Sequence, residues 1–565
     1  NIITKKNSGK SGFHLDASVN GGVFNKDGTV ITEDLFLNYT HKSGLYANAE
    51  LFNLGSKGFN TTEDTVTNPT AYKHPDTGDD FSKTDVIGKI GFKKNKIDMF
   101  ASYKITEQKN NIDDGAFTDD DNYTTDMKRN LLTYGAAYKV NDKFSFQFSG
   151  GLTDNIRQLV DDSSKVNTTG ATDKSYSEGT YKGKSSYNEF QFNFRTKGFE
   201  ATAGGYYENE WMTSQTRYYS TSWGIYESKS DLDTLDINAS TSGGFLHTDI
   251  NGILIGEKFK PYSLALGARY VNHSLFGTAL TYEINPSAKL SDNALLYFSY
   301  STGFNAPSLY QLYSPNKNLT SNITRGNKTL KPEEARSFEF GFKQKAGNHL
   351  SWSANVFQTV ISNAIDYVYL WNKNQIIDSL SFLDDRGDTY INLGTQTNKG
   401  VEFSVSSRLS EKWMIGGNFS LVYGKLEYDP SGIDTSHTKG NHVQVYTNGA
   451  FITKATESLG LVRRPNTANF NLTFLPVKKL ALKLNVHFVG SRSDIFYDGT
   501  IGPYGALNTV GVSEYTLIDF SVGYQIIKGL SALIRVENIS DAEYSEIKGY
   551  ATRGRGFYGG LRYSF

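Results

Sequence analysis

Two acidic runs concentrate the chain's capacity for metal chemistry. One is Asp113-Asp114 followed by Asp119-Asp120-Asp121, and the other is Asp154-Asn155 followed by Asp161-Asp162. Clustered carboxylates in a polar connection can supply several of the roughly 6–8 oxygen ligands that calcium takes. The same runs also read as acidic loops kept in water by their charge, and they lack EF-hand spacing. Two of the 9 histidines, His437 and His442, share one polar stretch, as a ligand pair or as ordinary loop histidines. Trp211, Tyr218, Tyr219, Trp223 and Tyr226 form an aromatic set that suits either stacking on a ligand or simple packing. There is no Cys, which excludes disulfides, thiolate metal sites and thiol nucleophiles. Neither a Gly-x-Ser-x-Gly elbow nor His-Glu-x-x-His is present, so no nucleophile arrives with its base and orienting group.

The elements that must carry these residues alternate from end to end. Phe338-Phe340-Phe342 alternates with Glu339-Gly341-Lys343, and Leu480-Leu482-Leu484-Val486-Phe488 with Lys483-Asn485-His487. Ala294-Leu296-Phe298-Tyr300, Ala468-Phe470-Leu472-Phe474 and Ile518-Phe520-Val522-Tyr524 repeat the pattern. The chain ends the same way, with Phe557, Leu561, Tyr563 and Phe565 interleaved by Tyr558, Gly560, Arg562 and Ser564. Successive side chains of a strand point to opposite faces. Strands of about 10 residues with one apolar and one polar face, repeated throughout, predict a transmembrane antiparallel β-barrel. Glu339, Lys343, Lys483 and Asp519 all fall in the polar register. A Lys on the lipid face would cost about 2–4 kcal/mol at the midplane, a cost the lumen avoids.

Composition agrees. Mean hydropathy is −0.46, yet aromatics reach 14%, with 36 Tyr and 36 Phe. Half of each barrel strand faces water while aromatic girdles mark the interfaces. The 54 Gly and 11 Pro suit long paired strands with tight turns. No window approaches the ~18 apolar residues of a membrane helix, and barrel strands need none. A net charge of −1 gives no field for nucleic acid, and no nucleic-acid partner is expected. The connections divide into short ones, such as 476–479, 527–529 and 346–348, and long polar ones, 53–83, 108–128, 154–186, 366–392, 426–458 and 491–513. In a barrel the long ones are the expected extracellular loops and the place where binding resides.

Several blocks, in order, resemble the TonB-dependent outer-membrane receptors. Asn1-Ile-Ile-Thr-Lys-Lys6 is similar to the last strand of that family's plug domain. Gly303-Phe-Asn-Ala-Pro-Ser-Leu-Tyr-Gln-Leu-Tyr313 resembles its Ala-Pro segment, and Leu330-Lys-Pro-Glu-Glu-Ala-Arg-Ser-Phe-Glu-Phe-Gly341 the Leu-x-Pro-Glu block that follows. Asn392 with Gly400-Val-Glu402, then Asn538-Ile-Ser-Asp541, Tyr544, Gly549-Tyr550 and Gly554-Arg555 complete the series. The resemblance implies a 22-stranded barrel over 11–565, with short periplasmic turns and long extracellular loops. Residues 1–10 would be the remnant of a plug otherwise absent. It also implies an outer-membrane location, lipid around the wall, and a TonB complex acting through the missing plug. The motif residues are expected to be structural: Pro307 and Pro332 suit strand ends or loops, and Arg555 would pair with a lumen carboxylate such as Glu402.

Within the family, Leu461-Val-Arg-Arg464, Val489-Gly-Ser-Arg492 and Gly549-Tyr-Ala-Thr-Arg-Gly-Arg555 resemble the cobalamin (vitamin B12) receptors. That likeness implies TonB-dependent uptake of cobalamin and calcium held in the loops by Asp119, Asp121, Asp161 and Asp162. No redox cofactor and no covalent chemistry are expected, and a surface lipoprotein capping the barrel would be a further partner. Ferric siderophores and haem are the competing cargoes. Haem fits less well: residues 308–329 contain no His, and the family's Phe-Arg-Ala-Pro stands here as Phe304-Asn-Ala-Pro307. A passive porin needs fewer strands, and an outer-membrane enzyme lacks its catalytic residues. The ligand contacts are not legible.

Overall fold

The structure, a computed structural model, describes all residues except 1–10, 26–27, 64–77, 114, 118, 164–173, 223, 319, 377–378, 380, 430–431, 445, 448–449, 452–457, 461–462 and 499–505. The expected plug remnant at 1–10 lies outside the described residues. From residue 11 onward, 22 strands form one antiparallel wall, each paired to its sequence neighbour in that wall. The wall closes where Gly12–Phe24 pairs with Gly556–Ser564, Val19 opposite Leu561. Arg562 and Ser564 both reach Asp16 across this closure. Among the described residues no helix is long and apolar enough to cross a membrane. Only Leu309–Tyr313 and Thr435–Thr438 are α-helical there.

Register shows why alternation produces a barrel. Leu35, Leu51 and Val86 lie side by side on one face, and all three are exposed. On the other face the row Asp34, Phe52, Asp85 and Thr106 continues across the same strands. Asp85 is buried there, 3.0 Å from the Lys104 ammonium and 2.5 Å from the Thr106 hydroxyl. Apolar groups exposed and charges buried is the inverse of a water-soluble sandwich, and it is stable only with lipid outside and a polar lumen inside. Glu339 accepts the Tyr297 hydroxyl at 2.5 Å on the same inner face. Aromatic rows band the outer wall. Phe144, Phe146, Phe190, Phe192 and Phe194 interlock at 4.8–5.9 Å, and Trp413 stacks on Phe474 at 4.0 Å.

Wall height is uneven. Leu350–Trp371 and Asp385–Arg408 have 22 and 24 residues, whereas Leu530–Glu537 and Gly556–Ser564 have 8 and 9. Several stretches read above as loops are in fact paired strand. Asp154–Asp161 pairs with Ser177–Lys184, Asp366–Trp371 with Asp385–Ile391, and the 491–513 stretch contains the hairpin Arg492–Asp498/Ala506–Val512. The reason is solvent: a hairpin rising above the bilayer has water on both faces, so its sequence loses the alternation that marks a strand. Two clusters of buried apolar side chains sit at this tall end. One joins Ile323, Val368, Leu370, Ile391, Leu393, Tyr428 and Ile433. The other joins Leu232, Ile237, Ala239 and Leu309.

Candidate functional site

The acidic runs lie on adjacent hairpins at this end of the barrel. Asp119 and Asp121 lie between the strands Ile97–Asn111 and Tyr123–Lys139. Asp161 is the last residue of Phe144–Asp161, directly opposite Tyr123, and Asp162 follows it, so adjacent hairpins carry the two runs. The preceding connection, 58–80, supplies a carboxylate that the sequence reading passed over. Thr61 Oγ1 lies 2.6 Å from both Asp79 Oδ2 and Asp113 Oδ2, and the Thr61 amide donates to Asp79 at 2.8 Å. The signal was present in the Asp79-Asp80 pair. Asn60 donates to Asp119 at 2.5 Å, and Asp119 and Asp120 are almost wholly buried. Burial pushes the Asp113 carboxyl up to about 7; the Thr61 hydrogen bond opposes this, and the nearby charges of Asp79 and Asp119 add to it. Burial likewise raises Asp79.

The donor set is the all-oxygen set of a hard cation. Asp79, Asp113 and Asp119 are nonetheless turned to Thr61 and Asn60. Among the described residues no three carboxylates or histidines converge on one centre. Asp114 lies outside the described residues. Asp154 is not in a loop: it sits mid-strand, 3.7 Å from Lys184, on the face opposite Asn155. His437 and His442 do not form a pair. His437 meets the Thr389 hydroxyl at 2.7 Å and is pushed down by burial, whereas His442 meets the Gln375 carbonyl at 3.1 Å. Tyr218 and Tyr226 pack at 6.2 Å, Trp211 lies under Lys184, and Trp223 lies outside the described residues.

Beside the acidic loops, Arg463, Arg492 and Gly549, one from each segment likened to cobalamin receptors, bond to residues of one seam. The Asp494 carboxylate, wholly buried, accepts Arg463 Nε at 2.6 Å, the Ile495 amide at 2.8 Å and the Lys548 amide at 2.7 Å. Arg492 donates to the carbonyls of Ser545 and Glu546. Gly549, at φ 86°, offers its carbonyl to the amides of both Glu63 and Phe117 and so ties the loops 58–80 and 112–122 to 538–555. Any Cβ there would lie 2.5 Å from Ala116 Cβ. Next to this seam is an open cavity of about 1120 Å³ bordered by Thr62, Glu63, Asp541, Tyr544, Lys548 and Arg555. Arg555 pairs with Asp541 at 2.9 Å rather than with Glu402, and its backbone and side-chain hydrogen bonds hold Asp541 low. Arg555 sits on the rim, while Glu402 lies in the wall several strands away and meets Asn355.

Across the mouth, the 306–332 connection folds onto the tall strands. Arg325 grips Asp388 with two bonds of 3.0 and 2.6 Å, and Tyr367 donates to the same carboxylate. Asn392 clamps the main chain of Lys331 and Asn363. Pro307 and Pro332 flank strand ends. Tyr181 faces Tyr310 at 6.4 Å with Arg157 over its ring, giving the mouth a second polar-aromatic wall.

Residues 24–539 match the family model described as TonB dependent receptor-like, beta-barrel. The vitamin B12 transporter BtuB of Vibrio cholerae serotype O1 is 23% identical over 312 residues, 55% of this chain and 41% of that protein. The probable TonB-dependent siderophore receptor PiuA of Acinetobacter baumannii is 24% identical over 297 residues, 52% of this chain and 34% of that protein. The matches thus span about two fifths or less of these relatives' own length. In fold, the siderophore receptor PirA of Acinetobacter baumannii superposes with a TM-score of 0.71 at 15% identity, covering 100% of this chain and 82% of its own. Copper transporter OprC gives 0.69 at 13% identity, covering 99% and 81%. With the closed 22-stranded wall, its polar lumen and a family match over most of its length, the chain belongs to the TonB-dependent receptor β-barrels of the bacterial outer membrane.

Proposed function

We infer that this chain is the barrel of a transporter that captures cobalamin at the cell surface and passes it inward under TonB control. The observation carrying the transport reading is the width of the closed wall. A barrel of 22 strands is too wide for side chains to fill and is normally plugged. Cargo is therefore held at the mouth until the plug is remodelled by TonB, energised by the proton-motive force. Binding and release do the work, and no bond in the cargo changes. The cobalamin assignment draws on the likeness to BtuB and on Arg463, Arg492 and Gly549, one from each cobalamin-receptor-like segment, which anchor one seam. Long loops would face the exterior and short turns the periplasm. Calcium fits as a loop ligand through Asp119, Asp121, Asp161 and Asp162, with Asp79 and Asp113 joining once they turn from Thr61. A ferric siderophore is the second reading, favoured by the Arg157, Tyr181, Tyr310, Arg325 and Tyr367 wall and by the likeness to PiuA.

The test is equilibrium binding of cyanocobalamin, haemin and a ferric siderophore to the plug-bearing receptor in detergent, with calcium and then with chelator. Cobalamin binding that weakens on chelation supports both the cargo and the loop ligands. Siderophore or haemin binding without cobalamin binding discards the cargo, and equal affinity with and without calcium discards the metal.

A further inference from the structure

Charge is segregated between the two ends of this barrel. The ten connections opposite the mouth are 41–44, 95–96, 140–143, 197–198, 252–261, 292–293, 347–349, 409–412, 478–479 and 528–529. They contain ten lysines, four carboxylates and no arginine, a formal +6 on a chain whose total is −1. All ten lysines are exposed. Among the described residues none of the ten forms an ion pair. Three acids close by are taken by strand-end cations instead: Asp142 by Lys139, Asp98 by Lys93 and Glu200 by Arg195. A cation left unpaired in this way is available to an external anion.

One connection differs from the others. Residues 252–261 form two 3₁₀ turns, Gly252–Leu254 and Glu257–Phe259. Leu254, Ile255 and Phe259 stand 53%, 76% and 49% exposed, with Lys258 and Lys260 interleaved. The first turn leans on the neighbouring connection, where a Cβ on Gly198 would lie 2.6 Å from Ile253. Tyr262 and Leu290, also exposed, continue the apolar surface directly into the wall. Apolar side chains alternating with lysines at the edge of a lipid-facing band suit the headgroup boundary, where stems lie on acyl chains and ammoniums reach phosphates.

We propose that this rim is a collar for anionic phospholipid headgroups of the periplasm-facing leaflet, with 252–261 as its membrane-inserted foot. It rests on the outer-membrane reading and not on the cargo. The occupant is a lipid rather than an acidic soluble partner, because the cationic ring is continuous with the lipid-facing band and its apolar residues would have no role against a soluble anion. Lysine, a point charge on a flexible stem, suits a fluid layer of headgroups better than the fixed fork of arginine.

Native mass spectrometry of the folded chain in detergent reads the result, with phosphatidylglycerol, cardiolipin and phosphatidylcholine supplied in equal amounts. The two anionic lipids are expected to be retained about tenfold or more over phosphatidylcholine. That preference should shrink steeply as salt rises and screening sets in, and persist in millimolar inorganic phosphate. Lys258→Gln with Lys260→Gln, Lys478→Gln and Lys479→Gln should bring it down to about twofold or less at low salt. Leu254→Ser with Ile255→Ser and Phe259→Ser should lower retention of anionic lipid while leaving the ten lysines intact. Equal retention of anionic and zwitterionic lipid by the unaltered chain overturns the proposal. So does an unchanged preference in the folded lysine variant, and so does displacement of lipid by inorganic phosphate. The salt series on the unaltered chain decides the matter even if a variant fails to fold, and lipid retention is read whether or not cobalamin binds.

Discussion

Replacing Asp494 by Ala should loosen the seam as one unit. The carboxylate is wholly buried and serves three donors on three segments: Arg463, the Ile495 amide and the Lys548 amide. Truncation leaves both amides without an acceptor, at about 1–3 kcal/mol each. Arg463 is about half exposed (48%), so its charge returns to water at little cost. The sum is about 2–6 kcal/mol against local opening, or roughly 30-fold to 20,000-fold faster amide exchange. Asp494→Asn keeps the shape but turns a donor toward one donor, so about half that cost is expected. Hydrogen exchange should be read not at the bereaved amides but at Glu63, Phe117 and Ala551, which bond Gly549 and Thr61 across the seam. Those three should accelerate together. If only Ile495 and Lys548 speed up, the loops do not form a cooperative unit and the reasoning fails.

Other predictions concern the same mouth. The Asp113 carboxyl titrates near 7 in the folded loops against an ordinary 3.8, so the folded state holds more protons between those values. Loop closure should weaken as pH rises from about 4 to about 7. Protease resistance of 112–122 across that range checks this, and Asp113→Asn should flatten the profile. Gly549→Ala forces a Cβ into Ala116 at φ 86° and should cost about 1–3 kcal/mol, seen as cleavage within 112–122 or 538–555. Arg325→Gln leaves the partly buried Asp388 with Tyr367 alone and should expose 314–329 to protease at a cost of about 1–3 kcal/mol.

The barrel was legible because lipid and lumen impose opposite demands on successive residues. Phe338 to Lys343 and Leu480 to Phe488 show this alternation wherever the wall crosses the bilayer. Above it the rule lapses, which is why Asp154–Asp161 and Asp366–Trp371 read as loops yet pair as strands. The acidic residues were visible as a run, but their assembly was not. Asp79, Asp113 and Asp119 meet through Thr61 and Asn60, which are unremarkable in sequence and distant along the chain. The sequence marks Arg555 as structural but points to Glu402 rather than Asp541 as its partner, since position on a wall face does not say which rim loop folds back beside it.

The unequal strands give the mouth two kinds of elasticity. On the side of Leu350–Trp371 and Asp385–Arg408, a ladder of main-chain bonds, bulged near Ala364 and Trp371, runs far above the bilayer and resists shear. On the side of Leu530–Glu537 and Gly556–Ser564 the ladder stops early, and height is restored by exposed side-chain clasps such as Arg555–Asp541. Main-chain ladders are indifferent to ionic strength, whereas exposed charge pairs soften with salt. The rim therefore has a stiff arc and a compliant arc. Any widening of the aperture is expected on the compliant arc, growing with ionic strength there and not at the opposite lip.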